Sequence, residues 1–99
     1  MRVIAHPEKR ARRGLPVVEG NVYTNANGRP HYKIVLGIIP RDERGRPWNN
    51  VALLKVFADG SLAGCAMEPE AYMRDHQDLV GKVSDMPSLK IEWFDDDGS

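Results

Sequence analysis

The strongest constraint on this chain is a period-two alternation of apolar residues. In residues 31–39, apolar side chains stand at every second position from Tyr32 to Ile38, the spacing that places side chains on one face of a strand. Val35 and Ile39 make the opposite face apolar as well. A strand with two apolar faces is buried on both sides. We therefore expect this run to be a central strand of a sheet, or a strand that bends at Gly37 so that each half packs differently.

Other short runs of strand-like composition surround this one. They cover residues 16–24, 50–58, 61–67 and 88–94. Asp59 and Gly60 separate the second and third of these runs, and an Asp-Gly pair in that position favours a type I′ hairpin with positive φ at both residues. The two runs are predicted to pair antiparallel. A further turn is predicted at Asn25 to Gly28, whose residues tolerate positive φ.

The apolar positions of these runs predict one shared core. The following residues occupy what we take to be matching faces of consecutive strands: Ile34, Leu36, Leu53, Phe57, Ile91 and Trp93. We expect them to form a single buried cluster, because side chains two apart on neighbouring strands share a face of the sheet.

One segment has the pattern of a helix. Pro69 and Glu70 are typical of a first helical turn, where proline fits and an acidic side chain complements the helix dipole. After them, side chains of one stripe recur at spacings of three and four: Tyr72, His76, Leu79, Val80 and Val83. This spacing predicts a short helix within residues 69–83.

The predicted order is four strands, a helix and a last strand. Its main features are Gly20 and Tyr23 in the first strand, the strand to Ile39, the Asp59-Gly60 hairpin and the helical turn before the final run. This layout resembles the SH3-like small β-barrels of short bacterial or phage proteins. The resemblance implies a mainly β (α+β) fold, a five-stranded barrel with one short helix before the last strand. Such domains act as adaptors, nucleic-acid binders and inhibitors, so it also implies a binding role.

Charge is distributed unevenly along a chain whose formal net charge is +0. Residues 1–46 hold ten Lys or Arg against four Asp or Glu, and residues 47–99 hold four against ten. A chain of 99 residues supports one compact core. We expect a basic flexible arm at residues 1–14, a single small β-barrel domain at residues 15–94 and an acidic tail at residues 95–99.

Several classes of protein find no support in the sequence. Cys65 is the single cysteine, so neither an internal disulfide nor a cysteine-based zinc site is possible. No apolar run approaches the ~18 residues that cross a bilayer, and the N-terminus lacks the apolar core of a signal peptide. We expect a cytoplasmic protein with no membrane partner.

The sequence contains none of the common catalytic motifs: no GxSxG elbow, HExxH pair, phosphate-binding P-loop or GxGxxG. Polar groups are dense only at residues 74–78. On a helix, Asp75 and Asp78 would share a face while His76 points away, so we interpret this segment as a solvated surface. We predict no enzyme, no cofactor and no metal site.

The loop after the central strand is the best candidate for binding a partner. Arg41, Arg44 and Arg46 offer guanidinium forks for carboxylate or phosphate, and Trp48 adds a large rigid apolar surface. An alternative is that Trp48 caps one end of the barrel. The sequence favours a non-catalytic binding module, a protein-binding adaptor, regulator or inhibitor in a prokaryotic or phage context.

A nucleic-acid-binding barrel is the alternative function. In this hypothesis the basic arm and the loop arginines contact phosphates. The arm residues concerned are Lys9, Arg10, Arg12 and Arg13. The acidic C-terminal half argues against strong general binding to nucleic acid. The oligomeric state stays open.

Overall fold

The protein forms one antiparallel sheet with a short helix on it. The structure is a computed structural model that describes residues 12–24, 31–57, 59–86 and 89–94. In chain order the elements are β1 (Asn21–Thr24), β2 (His31–Arg41), β3 (Pro47–Phe57), β4 (Leu62–Pro69), α1 (Glu70–His76), β5 (Asp78–Asp85) and β6 (Lys90–Trp93). The strand order across the sheet is β4-β3-β2-β1-β5-β6.

The mainly β fold with one short helix is confirmed, but its details differ from the prediction. The sheet has six strands, and β4 and β6 each have one neighbouring strand within the described ranges, so the sheet is open and does not close into a barrel. The helix precedes β5, so two strands follow it. The central position predicted for β2 is confirmed, because β2 lies between β3 and β1.

The helix is much shorter than residues 69–83. It ends at His76, and Leu79, Val80 and Val83 belong to β5. Leu79 and Val80 are buried on opposite faces of the sheet, which adjacent residues do in a strand and cannot do on one helical stripe. The spacing of three and four therefore combined residues from two different elements.

Both faces of the sheet carry a buried cluster. The helix-side face holds Val17, Tyr23, Val35, Val51, Leu53, Met73 and Leu79. The far face holds Val22, Tyr32, Ile34, Val56 and Val80. Burial on both sides follows from β2 and β3, whose successive apolar side chains alternate between the two faces.

The prediction of a single cluster is wrong for this reason. Leu53 lies opposite Val35, and Ile34 lies opposite Leu54, so Leu53 and Ile34 point to different faces. Leu36 is 40% exposed, because the β2–β3 register shifts between Val35 and Gly37. Such a bulge breaks the strict alternation on which the prediction relied.

The hairpin between β3 and β4 is confirmed, and its turn is longer than a type I′ turn. Phe57 N donates to Ser61 O at 2.9 Å, and Gly60 N donates to Phe57 O at 2.9 Å. Three positions therefore lie between the closing residues instead of two. Gly60 has the expected positive φ of 90°, as in three-residue loops that end in a left-handed residue. The Asn25 to Gly28 turn lies outside the described residues.

The turn makes a stability prediction at Gly60. We expect Gly60→Ala to lower the free energy of unfolding by about 1–2 kcal/mol, because a Cβ disfavours this left-handed backbone. Gly37→Ala is the matched control: Gly37 has no positive φ, and a Cβ there would meet no atom within 4 Å. It should be neutral or stabilise by about 0.5 kcal/mol. Urea unfolding measures both, and equal losses at the two positions would contradict this account.

Candidate functional site

The β2–β3 hairpin extends beyond its neighbours in the sheet. Among the described strand pairings, β1 last meets β2 at Ile34, and β4 last meets β3 at Asn50. Beyond these positions β2 and β3 pair with each other as far as Arg41 and Pro47. Residues 40–49, which we call the projecting hairpin, therefore reach past the rest of the sheet.

Asp42 organises the turn of the projecting hairpin. Its Oδ1 accepts hydrogen bonds from the backbone N–H groups of Arg44 and Arg46, both at 2.9 Å. Its Oδ2 accepts a bond from Arg46 Nε at 2.8 Å. The bond from the Arg46 backbone is the largest of the effects that lower the pKa of Asp42. Gly45 supplies the positive φ of 76° that the turn needs. These contacts hold the turn in one conformation.

The four residues predicted to bind a partner lie together in this hairpin but differ in availability. Arg46 is paired with Asp42, and Arg41 Nη1 donates to Gly45 O at 2.9 Å. The Arg44 side chain meets no acceptor within the described part of the chain. Trp48 is 45% exposed, so it does not bury its indole in the domain. Of the four, Arg44 and Trp48 are the two whose side chains stay open to solvent or lack a described acceptor.

The described arginines of the predicted arm lie against β5. Arg12 and Leu79 exchange two backbone hydrogen bonds of 3.1 and 2.8 Å, and the Arg12 guanidinium lies 4.0 Å from the centroid of the Phe94 ring. Arg13 Nε lies 2.6 Å from Asp78 Oδ1. The other arm residues that we named, Lys9 and Arg10, and all of residues 1–11 and 95–99, fall outside the described ranges. The structure therefore does not place the described arm arginines in the projecting hairpin.

The polar segment 74–78 forms no shared site. Asp75 is paired with Arg74, and the hydrogen bond from that guanidinium is the main reason why the pKa of Asp75 is lowered. The His76 ring lies beside the Tyr72 ring, with 5.7 Å between centroids. Asp78 belongs to β5, so the expectation that it shares a helical face with Asp75 is wrong. Within the described ranges, no three His, Cys, Asp or Glu side chains cluster closely enough to hold a metal ion.

Sequence reasoning missed a buried lysine on the helix-side face. Lys33 is 6% exposed, and its Nζ donates to Gln77 Oε1 at 3.3 Å. Gln77 Nε2 in turn donates to Tyr72 OH at 3.1 Å. Burial lowers the pKa of Lys33. The charge of Glu68 opposes this shift, and the charge of Lys55, which lies opposite Lys33 in β3, adds to it. One feature of the sequence does indicate this burial: Lys33 lies two residues before Val35, on the strand face that is predicted to be apolar.

Comparison with known proteins provides no analogy for these features. No protein-family model, no curated protein and no solved structure matches the chain. No helix of the described part is both long and apolar enough to pass through a bilayer. A function must therefore be argued from the geometry.

The buried lysine makes a prediction about stability and pH. The pKa of Lys33 lies below its ordinary value of 10.5 in the folded protein, so between the two values the unfolded chain binds more protons. Stability should then rise with pH through this window. Lys33→Met removes the titrating group and should flatten the rise.

Urea unfolding of the parent and Lys33→Met at several pH values between about 8 and about 10.5 measures this effect, because the window lies directly below the ordinary pKa of the lysine. The difference between the two proteins cancels the contribution of Tyr23, whose pKa burial raises from 10.0. Lys90→Met, at an exposed position of β6, should keep the pH dependence of the parent. If Lys33→Met keeps the pH dependence of the parent, burial does not lower the pKa of this lysine.

Proposed function

We propose that this protein is a non-catalytic module that binds a protein partner through the projecting hairpin. The partner supplies an extended segment with an acidic side chain. That segment lies along the open edge of β2, with Trp48 and Arg44 as its anchors. The observation that supports this proposal is an edge of β2 that pairs with no described strand, in the same β2–β3 hairpin as an exposed tryptophan and an arginine whose side chain has no described partner.

The edge of β2 is open where the strand passes its neighbour. Gly20 N donates to Val35 O at 2.9 Å, and beyond that point no described strand lies on this side of β2. Leu36 and Ile38, on this stretch, are 40% and 39% exposed. Backbone N–H and C=O groups on such an edge can pair with an added strand. Exposed apolar side chains beside them give that strand a surface to cover.

The edge is short, so side chains must contribute most of the affinity. The register with β3 shifts before Gly37 and again between Ile39 and Arg41, and Pro40 has no N–H to offer. Regular pairing is thereby limited to Gly37 to Ile39. Trp48 and Arg44 are of the residue types that dominate binding energy at protein interfaces. Because Asp42 already holds the turn, little conformational entropy is lost when a partner binds.

Arg44 defines the chemistry of the partner. Its guanidinium is the one arginine fork of the hairpin turn that has no partner among the described residues. A carboxylate can accept two parallel hydrogen bonds from such a fork. Nucleic acid has less support, because Arg46 and Arg13 are each paired with an aspartate. An adaptor, a regulator and an inhibitor would all use this surface, and they differ in what the bound partner then does.

A capture experiment with matched variants tests the proposal. Tagged native protein, Arg44→Glu/Trp48→Ala and a control, Lys90→Glu/Leu62→Ala, are used to capture partners from host lysate with and without nuclease. The control makes the same kind of charge reversal and apolar truncation at exposed positions outside the hairpin. Partners recovered by the native protein should be retained by the control and reduced at least about tenfold by the hairpin variant.

Two results would overturn the proposal. If nuclease removes every partner, the ligand is nucleic acid. If the hairpin variant melts at the parent temperature and captures the same proteins as the control, the projecting hairpin is not the site.

The open edge makes a separate prediction at Ile38. Ile38→Lys should leave the unfolding midpoint nearly unchanged, because the side chain is partly exposed already. It should weaken partner capture about as much as loss of Trp48, because a lysine on an edge discourages strand addition. Leu62→Lys, which places the same charge on the β4 edge, is the control and should capture partners as the parent does. Normal capture by Ile38→Lys would restrict the site to the side chains of the turn.

A further inference from the structure

A groove lies between the sheet and residues 12–18, which we call the N-terminal segment. It is lined by no residue of the projecting hairpin. It encloses about 350 Å³, which is within the range of small-molecule sites, about 300–1,000 Å³. Its apolar wall consists of Leu15, Pro16, Val18, Leu79 and Phe94. Leu15 and Val18 are 45% and 42% exposed, although Val17 between them is buried in the helix-side cluster. This arrangement leaves two apolar side chains facing solvent at the groove.

The charged groups that line this groove are all cationic. Arg12 and Lys82 are part of its lining, and no described Asp or Glu is. Arg12 lies over the Phe94 ring, an arrangement that holds the guanidinium at the wall. Lys82 makes no ion pair with any described residue. An anionic group is therefore the charge complement of the groove.

Asn21 is part of the same lining and carries a buried acceptor. It is 1% exposed and lies directly opposite Lys82 in the β1–β5 pairing, so the two side chains share a face. Its Nδ2 donates to Pro16 O at 3.3 Å and to Tyr23 OH at 3.0 Å. The carbonyl of Pro16 can only accept, which fixes the orientation of the amide. Its Oδ1 is buried and accepts no hydrogen bond from any residue that the structure describes.

A buried acceptor without a donor costs about 1–3 kcal/mol, so it is rarely kept unless a further group satisfies it. Here the acceptor lies in the same lining as an apolar wall and as Lys82, a cation without an anionic partner in the described part of the chain. A single molecule would complement the acceptor, the cation and the apolar wall if it carried a hydrogen-bond donor, an anionic group and an apolar body. Sites for small ligands have this composition, a mostly apolar lining with a few convergent polar groups.

We propose that this groove binds a small organic anion that carries an apolar body and a hydroxyl or amino donor. The apolar body packs on the wall between Val18 and Phe94. The anionic group pairs with Lys82, and the donor bonds to Asn21 Oδ1. This site is independent of the projecting hairpin and would give the module a second, small-molecule input.

The test is an NMR titration of the isotope-labelled full chain with three matched probes. The first, 4-hydroxyphenylacetate, carries all three properties; phenylacetate lacks the donor, and 2-(4-hydroxyphenyl)ethanol lacks the charge. We expect the first probe to shift the backbone resonances of Arg12, Asn21, Lys82 and Phe94, with saturation in about the millimolar range. Each of the other two should bind about tenfold more weakly, the worth of one hydrogen bond or charge contact.

Variants assign the anionic contact. Lys82→Gln should lower the affinity for 4-hydroxyphenylacetate about tenfold and leave the affinity for the uncharged alcohol unchanged. Lys82→Arg keeps the positive charge and should bind the acid as the parent does. Lys90→Gln, at an exposed position elsewhere on the sheet, and the hairpin variant Arg44→Glu/Trp48→Ala should both bind the acid normally. Three results would each overturn the proposal: no saturable shifts at these residues, equal affinity for all three probes, or unchanged binding of the acid by Lys82→Gln.

Discussion

Burial of both faces of the β2–β3 pair is the constraint on which the rest of the structure depends. Val35 and Leu53 point to one face, and Ile34 and Val56 point to the other. Each face must be covered, because an exposed apolar sheet face of this size would be costly. On one side, Met73 of the helix and Val17 of the N-terminal segment join the cluster. The helix and the N-terminal segment therefore contribute side chains to the core.

This covering has a polar consequence at Lys33. The lysine occupies the helix-side face, where its neighbours across the sheet are Tyr23 and Lys55. Covering that face removes the lysine from water and leaves Gln77 as its hydrogen-bond partner. Gln77 is the C-cap of α1 and directly follows His76, the last residue of the helix. The end of the helix and the burial of the lysine are thus joined by one side-chain contact.

The candidate binding surfaces arise where elements of unequal length meet. β2 and β3 have 11 residues each, whereas β1 has 4 and β4 has 8, so the long pair must project beyond its neighbours. The projecting hairpin and the open edge of β2 follow directly from that mismatch. The groove has a different origin, because its lining comes from the N-terminal segment, from Asn21 of β1, from β5 and from Phe94. One surface offers an edge and a tryptophan, and the other offers cations and an unpaired acceptor.

Local patterns were enough to locate most strands, since alternation and turn residues act between near neighbours in the chain. From them the sequence by itself determined the mainly β class, the central place of β2, the β3–β4 hairpin and the positive φ of Gly60. They failed at Leu79 and Val80, whose spacing fits a helix as well as a strand; pairing of β5 with the distant β1 decided between them. The grouping of Arg44 with Trp48 was visible because the two are close in sequence. Only the tertiary structure decided that Lys33 is buried and that Arg12, Asn21 and Lys82 line one groove. Both features depend on contacts between segments that are far apart in the sequence, and local patterns carry no information about such contacts.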